Sequence, residues 1–224
     1  MKVVAVVPAY NEASAIGAVV NGLRQFVDVA IVVDDGSTDP TGAVAATEGA
    51  VVLRHFLNRG QGAALQTGMT AALRRGADIV VTFDADGQHR VEDVPRLIEP
   101  LWLGRYDLVL GSRFLSNSRP LMPRARRWLL QLGILFDRTR TGLAITDTHN
   151  GLRAFSRRAG ELITIRQDRM AHASEILDEM VRLHFRFIEV PVHVQYTPYS
   201  RGKGQGWRDS VHILWDLVRG RITR

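Results

Sequence analysis

Asp84, Asp86 and Gln88 stand at alternate positions just after the apolar run Ile79–Phe83. Alternation along an extended turn puts three oxygen-bearing side chains on one side. That suits a hard divalent cation, Mg²⁺ or Mn²⁺, held by few protein ligands and completed by phosphate oxygens. A second reading also fits: one aspartate caps the next helix and the other groups are solvated. Glu12 follows an earlier apolar run, and Asp34 and Asp35 follow another. Five carboxylates brought to one edge would repel one another unless a cation or hydrogen-bond donors sit among them. Gly60-Gln61-Gly62 precedes a helical pattern, so its backbone N–H groups could meet a phosphate or ribose; an ordinary tight turn explains the glycines equally.

Bringing these residues together requires strands that end at one edge. Short apolar runs alternate with helical patterns: Val3–Val7 then Ala13–Val27, Val29–Val33 then Pro40–Thr47, Val51–Leu53 then Gln61–Arg75, Ile79–Phe83 then Val94–Leu103, with Leu108–Leu110 beyond. This rhythm predicts an α/β fold built on a mostly parallel, buried sheet flanked by helices. In such sheets ligands bind beyond the carboxyl ends of the strands, where the acidic residues fall. After Gly111 the rhythm changes. An irregular basic stretch holds Arg113 and Arg119, a helix is expected from about Pro123 to Arg138, and Thr146–Gly151 reads as a loop. Helices near Arg157–Leu162 and Ser174–Leu183, an extended segment Phe185–Tyr196 and a last helix from Trp207 complete the chain.

The chain has 224 residues, 46% of them apolar and 23% charged, which fits one soluble domain with one sizeable core. It contains no run of about eighteen apolar residues, and Pro8 cuts the apolar start short of a signal-peptide core. With no cysteines, a cytosolic address is the expectation. The net charge of +6 is compatible with nucleic acid, anionic lipid or phosphorylated substrates and does not choose among them.

The stretches VVPAYNE (6–12), VVDDGSTD (32–39), NRGQGAALQTG (58–68), FDADGQH (83–89), GSRF (111–114) and TDTHNGLRAF (146–155) occur in that order. Together they resemble the inverting family 2 glycosyltransferases with the GT-A (Rossmann-like) fold, and more narrowly the dolichol-phosphate-mannose-synthase-like branch. The resemblance runs from Val3 to about Tyr196. DRMAHASEILDEM followed by EVPVHVQYTPYS is similar to short, stand-alone bacterial members that lack membrane helices. It implies a single domain over 1–224, with a nucleotide-sugar-binding half at 1–111 and an acceptor half at 112–224.

Position by position, the resemblance implies that Pro8, Ala9, Tyr10 and Glu12, with Asp34 or Asp35, hold the base and ribose. Gly62, Asp84, Ala85 and Asp86 complete the donor contacts, and Asp84, Asp86 and Gln88 bind the metal that bridges the diphosphate. Arg113, with Arg126, would meet an acceptor phosphate, and Arg201 and Lys203 would close over the donor phosphates. Asp86, Arg113 and Glu175 are the catalytic candidates. The implied reaction moves a hexose from a UDP- or GDP-sugar to a polyprenyl phosphate at the cytosolic membrane face, on a peripheral enzyme. A small membrane protein or a second copy of the chain would be its partner, and nucleic acid would not.

A lipid phosphate is already an anion and needs only cations to position it, whereas a hydroxyl acceptor needs a carboxylate base. The rival acceptor, a sugar hydroxyl in cell-envelope polysaccharide synthesis, therefore turns on Glu175. Glutamate early in a helix is also simply favoured by the helix dipole. Two helices bear on membrane contact. In the first (123–138), Ala125, Trp128, Leu129, Leu132 and Phe136 form the main expected apolar face, with Leu130 and Ile134 opposite. In the second (207–222), Trp207, Val211, Leu214, Trp215, Val218 and Ile222 form a stripe beside arginines, which suits an anionic leaflet or packing on protein. A dinucleotide oxidoreductase would need G-x-G-x-x-G after the first strand, where the chain reads P-A-Y-N-E. A non-catalytic nucleotide-sugar-binding module is the remaining alternative. His149, in the TDTHNG loop, is the histidine singled out for test.

Overall fold

Seven consecutive buried residues, Val3–Ala9, form strand β1 near the middle of a sheet covered on both faces. Helices on either side explain why the strand is apolar throughout instead of alternating. The computed structural model describes residues 1–115, 124–168 and 171–195. Further strands are β2 (Val29–Asp34), β3 (Val51–Arg54), β4 (Ile79–Thr82), β5 (Leu108–Ser112), β6 (Arg153–Ser156) and β7 (Phe187–Pro191). Helices are α1 (Ile16–Leu23), α2 (Thr41–Thr47), α3 (Gln61–Arg74), α4 (Val94–Trp102), α5 (Arg124–Thr141), α6 (Arg157–Leu162) and α7 (His172–Arg182).

The sheet order is β3-β2-β1-β4-β6-β5-β7. Every pairing is parallel except those of β6, which runs antiparallel between β4 and β5. β1 divides the core by its period of two. Val3, Ala5 and Val7 pack with α1 and α4, through Ile16, Val20, Leu23, Leu97 and Leu101. Val4 and Val6 pack with α3, α6 and α7, through Leu65, Met69, Ala159, Ile176 and Met180.

The predicted α/β class and the first five strands agree with the structure to within a residue or two at their ends. β6 has no counterpart among the sequence expectations, because four residues reading R-A-F-S carry too little apolar pattern to announce a strand. Its insertion beside β4 brings the 146–151 loop against the end of β4. The helical pattern expected from Pro40 begins one residue later, at Thr41. Pro40 takes the cap position of α2, and the Asp39 carboxylate accepts from the Thr41 amide at 3.0 Å.

Of the two apolar sides expected for the acceptor-side helix, α5 turns the minor one inward. Ile134, expected on the minor face, is buried, while Trp128 and Leu132, expected on the main face, are 68% and 54% exposed. Leu135 is exposed as well. The inward face is chosen by a polar group: Asp137 is fully buried, bonded to Arg140 at 2.9 Å and within 3.4 Å of the Ser174 hydroxyl. Burying that carboxylate without these partners would be costly, so its pairing fixes the rotation of the helix. The expected 207–222 helix lies outside the described residues.

Candidate active site

The carboxyl ends of β1, β2 and β4, the start of α3 and the 149–153 segment enclose a cleft of about 590 Å³. Pro8, Ala9, Tyr10 and Glu12 line it after β1, Asp35 after β2, and Asp84, Ala85, Asp86 and Gln88 after β4. Arg113, His149, Asn150, Arg153 and His172 form the facing wall. One side is acidic and the other carries nitrogen-bearing side chains.

Asp84 is held from three directions. Gln61 donates its side-chain amide to Oδ1 at 3.0 Å, and His89 Nε2 lies 3.1 Å from Oδ2. Behind the carboxylate stands Gly151, where an added Cβ would lie 2.2 Å from Oδ2. Asp86 is braced by its own turn: Gln88 donates its backbone amide to Oδ1 at 3.0 Å and its side-chain amide to Oδ2 at 2.7 Å.

Burial drives the Asp84 carboxyl upward, but the hydrogen bond and charge of His89, helped by Arg153 and His172, outweigh it and leave the group below the usual carboxylate value. Asp86 moves the other way, raised by burial and then by the neighbouring charge of Asp84. A buried acid beside a second carboxylate is the one whose charged form is disfavoured. Among the described residues no three His, Asp or Glu side chains converge as a closed metal cage. Two carboxylates at the mouth of a cleft instead fit a cation that completes its shell with phosphate oxygens and water. Gln88 engages Asp86 here, so it serves to orient that carboxylate.

On the facing wall, Arg113 donates from Nε to Asp147 at 2.6 Å and from Nη2 to the His149 carbonyl at 3.0 Å. Arg153, in β6, is buried and donates to the Thr148 carbonyl at 2.8 Å. Burial lowers its guanidinium to about 10, against the opposing pull of Asp84, Asp147 and Asp137, so it remains a cation at neutral pH. Burial also lowers His149, which favours its neutral form, and its Nδ1 has no hydrogen-bond partner among the described residues. The 146–147 turn is gripped from β7, where Glu189 accepts from the amides of Thr146 at 2.8 Å and Asp147 at 3.1 Å.

Several sequence expectations are revised by this geometry. Asp34 does not line the cleft; its carboxylate accepts from the Ser37 amide at 2.9 Å and lies 3.5 Å from Arg54. Asp35 takes the cleft position. The Gly62 amide is turned inward to the Asp168 carbonyl at 2.8 Å, and a Cβ there would lie 1.9 Å from the Gln167 carbonyl oxygen, so this glycine admits a chain crossing. Glu175 is absent from the cleft wall. Its Oε2 accepts from the amides of Arg166 at 3.0 Å and Gln167 at 2.8 Å, and His172 and Ala173 of the same helix reach the cleft instead. Arg126 belongs to α5 without a described side chain, and Arg201 and Lys203 lie outside the described residues. Gln61, His55, Arg153 and His172 were not singled out from sequence.

Comparison with known proteins gives a consistent neighbourhood. The family profile Glycosyl transferase family 2 matches residues 4–162. A UDP-N-acetylglucosamine–dolichyl-phosphate N-acetylglucosaminyltransferase of Methanococcus voltae is 34% identical over 95% of this chain and 93% of its own. An undecaprenyl-phosphate mannosyltransferase of Micrococcus luteus is 35% identical, with 86% and 83% covered. Among solved structures, glucosyl-3-phosphoglycerate synthase of Mycobacterium tuberculosis in complex with Mn²⁺, UDP and phosphoglyceric acid superimposes with a TM-score of 0.65 at 25% identity, covering 89% of this chain and 72% of that one.

Proposed function

The chain belongs to glycosyl transferase family 2, and from that premise we propose that it transfers a hexose from a UDP- or GDP-sugar to a polyprenyl phosphate, with inversion. The observation that carries this reading is the two-sided cleft, with Asp84 and Asp86 across from Arg113, Arg153 and His172. The acidic side suits a metal-bound diphosphate and the cationic side suits an anionic acceptor. Names of the two relatives, one a dolichyl-phosphate and one an undecaprenyl-phosphate transferase, point to the same acceptor class.

Asp84 and Asp86 would hold Mg²⁺ or Mn²⁺, and that ion would supply positive charge to the departing diphosphate. The protein's own part is positional. Gln61, His89 and Gly151 keep Asp84 aimed, Gln88 keeps Asp86 aimed, and Tyr10 and Asp35 border the region assigned to the base. Arg113 and Arg153 are fixed by their carbonyl and carboxylate partners, so they offer charge without the entropy loss of ordering long side chains. With Glu175 committed to two backbone amides, α7 presents no carboxylate to the cleft, which favours a phosphate acceptor over a hydroxyl that needs a base. Residues 1–111 would then form the donor half and 112–224 the acceptor half.

The membrane side of the proposal rests on α5, whose Trp128, Leu132 and Leu135 are exposed on one face. No helix among the described residues is long and apolar enough to cross a membrane, and this exposed face of α5 would attach the enzyme peripherally at the inner face. Arg126, Arg201 and Lys203 retain the acceptor- and donor-phosphate roles drawn from the family resemblance. The reading is tested by a panel of UDP- and GDP-hexoses with Mg²⁺ or Mn²⁺, following nucleotide release with and without a short polyprenyl phosphate. Release that requires both metal and lipid phosphate is expected, and metal-independent release or indifference to the acceptor would overturn it.

A further inference from the structure

Resting on the metal-site reading above, we infer that residues 192–195, the segment that leaves β7, are a brace that positions the loop 84–90 against the acceptor-side strand β5. The loop carries Asp84 and Asp86 but lies outside the named helices and strands. It turns at Gly87, whose φ of 69° is left-handed, and a Cβ there would meet nothing within 4 Å. Packing does not hold the turn on that side.

The segment 192–195 supplies hydrogen bonds instead. Val194 pairs with His89 as an antiparallel bridge, and the Gln195 amide donates to the Gln88 carbonyl at 2.8 Å. With its side-chain carbonyl facing Arg90, Gln195 also accepts from Nε and Nη2, each at 2.7 Å. The residues gripped in this way are the ones that aim the carboxylates. Gln88 donates twice to Asp86, and His89 Nε2 lies 3.1 Å from Asp84. A shift of the segment therefore reaches both acids.

The other end of the brace is fixed. Val192 is buried, its amide donates to the Ser112 carbonyl at 3.1 Å, and its methyl carbons stand 3.0 and 3.1 Å from where a Cβ on Gly111 would lie. Ser112 directly precedes Arg113, so this end is tied to the cationic wall. His193 is a second anchor: the buried Asp93 accepts from its amide at 2.7 Å and from its Nδ1 at 3.2 Å, and Arg96 donates to the same carboxylate at 3.2 Å. Three residue steps separate the Ser112 bond from the Gln88 bond, and a chain of that length spans at most about 10 Å. So short a span, anchored midway, leaves few free dihedral angles between Arg113 and the two acids, and it sets their separation.

The test compares the full chain with Gln195→Pro, which deletes the amide that bonds Gln88, and with Gln195→Ala, which keeps that amide and gives up the Arg90 contact. Gln195 is exposed and is not part of the cleft lining, so neither change removes a cleft group. Mn²⁺ is titrated into each protein with UDP or GDP present, free Mn²⁺ is read by electron paramagnetic resonance, and melting temperatures are measured alongside. Gln195→Pro is expected to weaken Mn²⁺ binding about tenfold, the scale found when groups that orient metal ligands are removed, at an unchanged melting temperature. Gln195→Ala is expected to fall between it and the wild type. Wild-type Mn²⁺ affinity in Gln195→Pro overturns the brace and leaves the metal-site reading in place. Weaker binding with a lower melting temperature in both variants also overturns it, since the segment would then support the fold at large. If the wild-type chain binds no Mn²⁺ with either nucleotide, the metal-site reading falls and amide hydrogen exchange in the metal-free chain decides the brace alone: faster exchange over 88–90 in Gln195→Pro supports it, and unchanged exchange overturns it.

Discussion

The Asp84 carboxylate and Gly151 meet so closely that a Cβ on residue 151 would stand 2.2 Å from Oδ2. The contact joins the end of β4 to the turn that leads into β6, and Thr82 ties the same turn down by donating its hydroxyl to the Gly151 carbonyl at 2.8 Å. Asp84 is thereby aimed by the acceptor-side loop as well as by its own strand.

Gly151→Ala should push the carboxylate out of line while leaving the core intact. Misplacement of a site group by about 1 Å can cost roughly 10²-fold in rate, and a loss of that order is expected in metal-dependent turnover. Metal titration of nucleotide release checks it. Half-saturation at the wild-type metal concentration would contradict the assignment of Asp84.

Glu189 gives a pH dependence with a definite sign. Burial, outweighing the opposing hydrogen bonds from Thr146 and Asp147, raises its carboxyl above the ordinary glutamate value. A raised folded-state value means that the protonated form is favoured by folding. Its stabilising contribution is complete below the unfolded value and is lost as pH rises through the folded one. Glu189→Gln keeps an oxygen able to accept both amides and never ionises. It should therefore match or exceed the wild-type melting temperature at pH 7, with the difference closing as pH falls toward the acid range. Glu189→Leu leaves the amides without an acceptor and should cost on the order of 1 kcal/mol or more. Thermal denaturation across pH checks both.

Glu175→Gln retains an oxygen for the Arg166 and Gln167 amides and removes no cleft group. Its kcat should stay within about threefold of wild type, as for a substitution that disturbs no buried feature. A loss of all transfer with normal donor binding would restore Glu175 as the base and the hydroxyl acceptor with it.

Gly62→Ala should act on stability first. The new methyl would meet the Gln167 carbonyl, and overpacking of this kind costs about 1–3 kcal/mol. Chemical denaturation should show a lower midpoint with an unchanged slope.

The parallel strands and their acidic ends were legible because each strand is a short apolar run followed at once by polar residues. VVDDGS reads this way, and so does IVVTFDADGQ. The choice between Asp34 and Asp35 was not legible, since adjacent residues point oppositely and only the positions of Ser37, Arg54 and His55 decide which carboxylate is consumed internally. β6 escaped because four residues carry no period. Which apolar side of α5 turns inward was not legible, because apolar count favours Trp128 and Leu132, whereas the burial of Asp137 with Arg140 and Ser174 sets the inward face. Glu175 is a catalytic candidate through the family resemblance, and the Arg166 and Gln167 amides it accepts from come from a loop whose path no local pattern encodes.

The central claim is transfer of a sugar to a lipid phosphate, and product partitioning measures it most directly. Radiolabelled UDP- and GDP-hexoses would be incubated with the protein, Mn²⁺ and a polyprenyl phosphate, and the organic phase counted. Label entering the organic phase only with metal, and lost in Asp84→Asn and Asp86→Asn, is the expected result. Label remaining wholly in the aqueous phase while nucleotide is released at the same rate without lipid would contradict it.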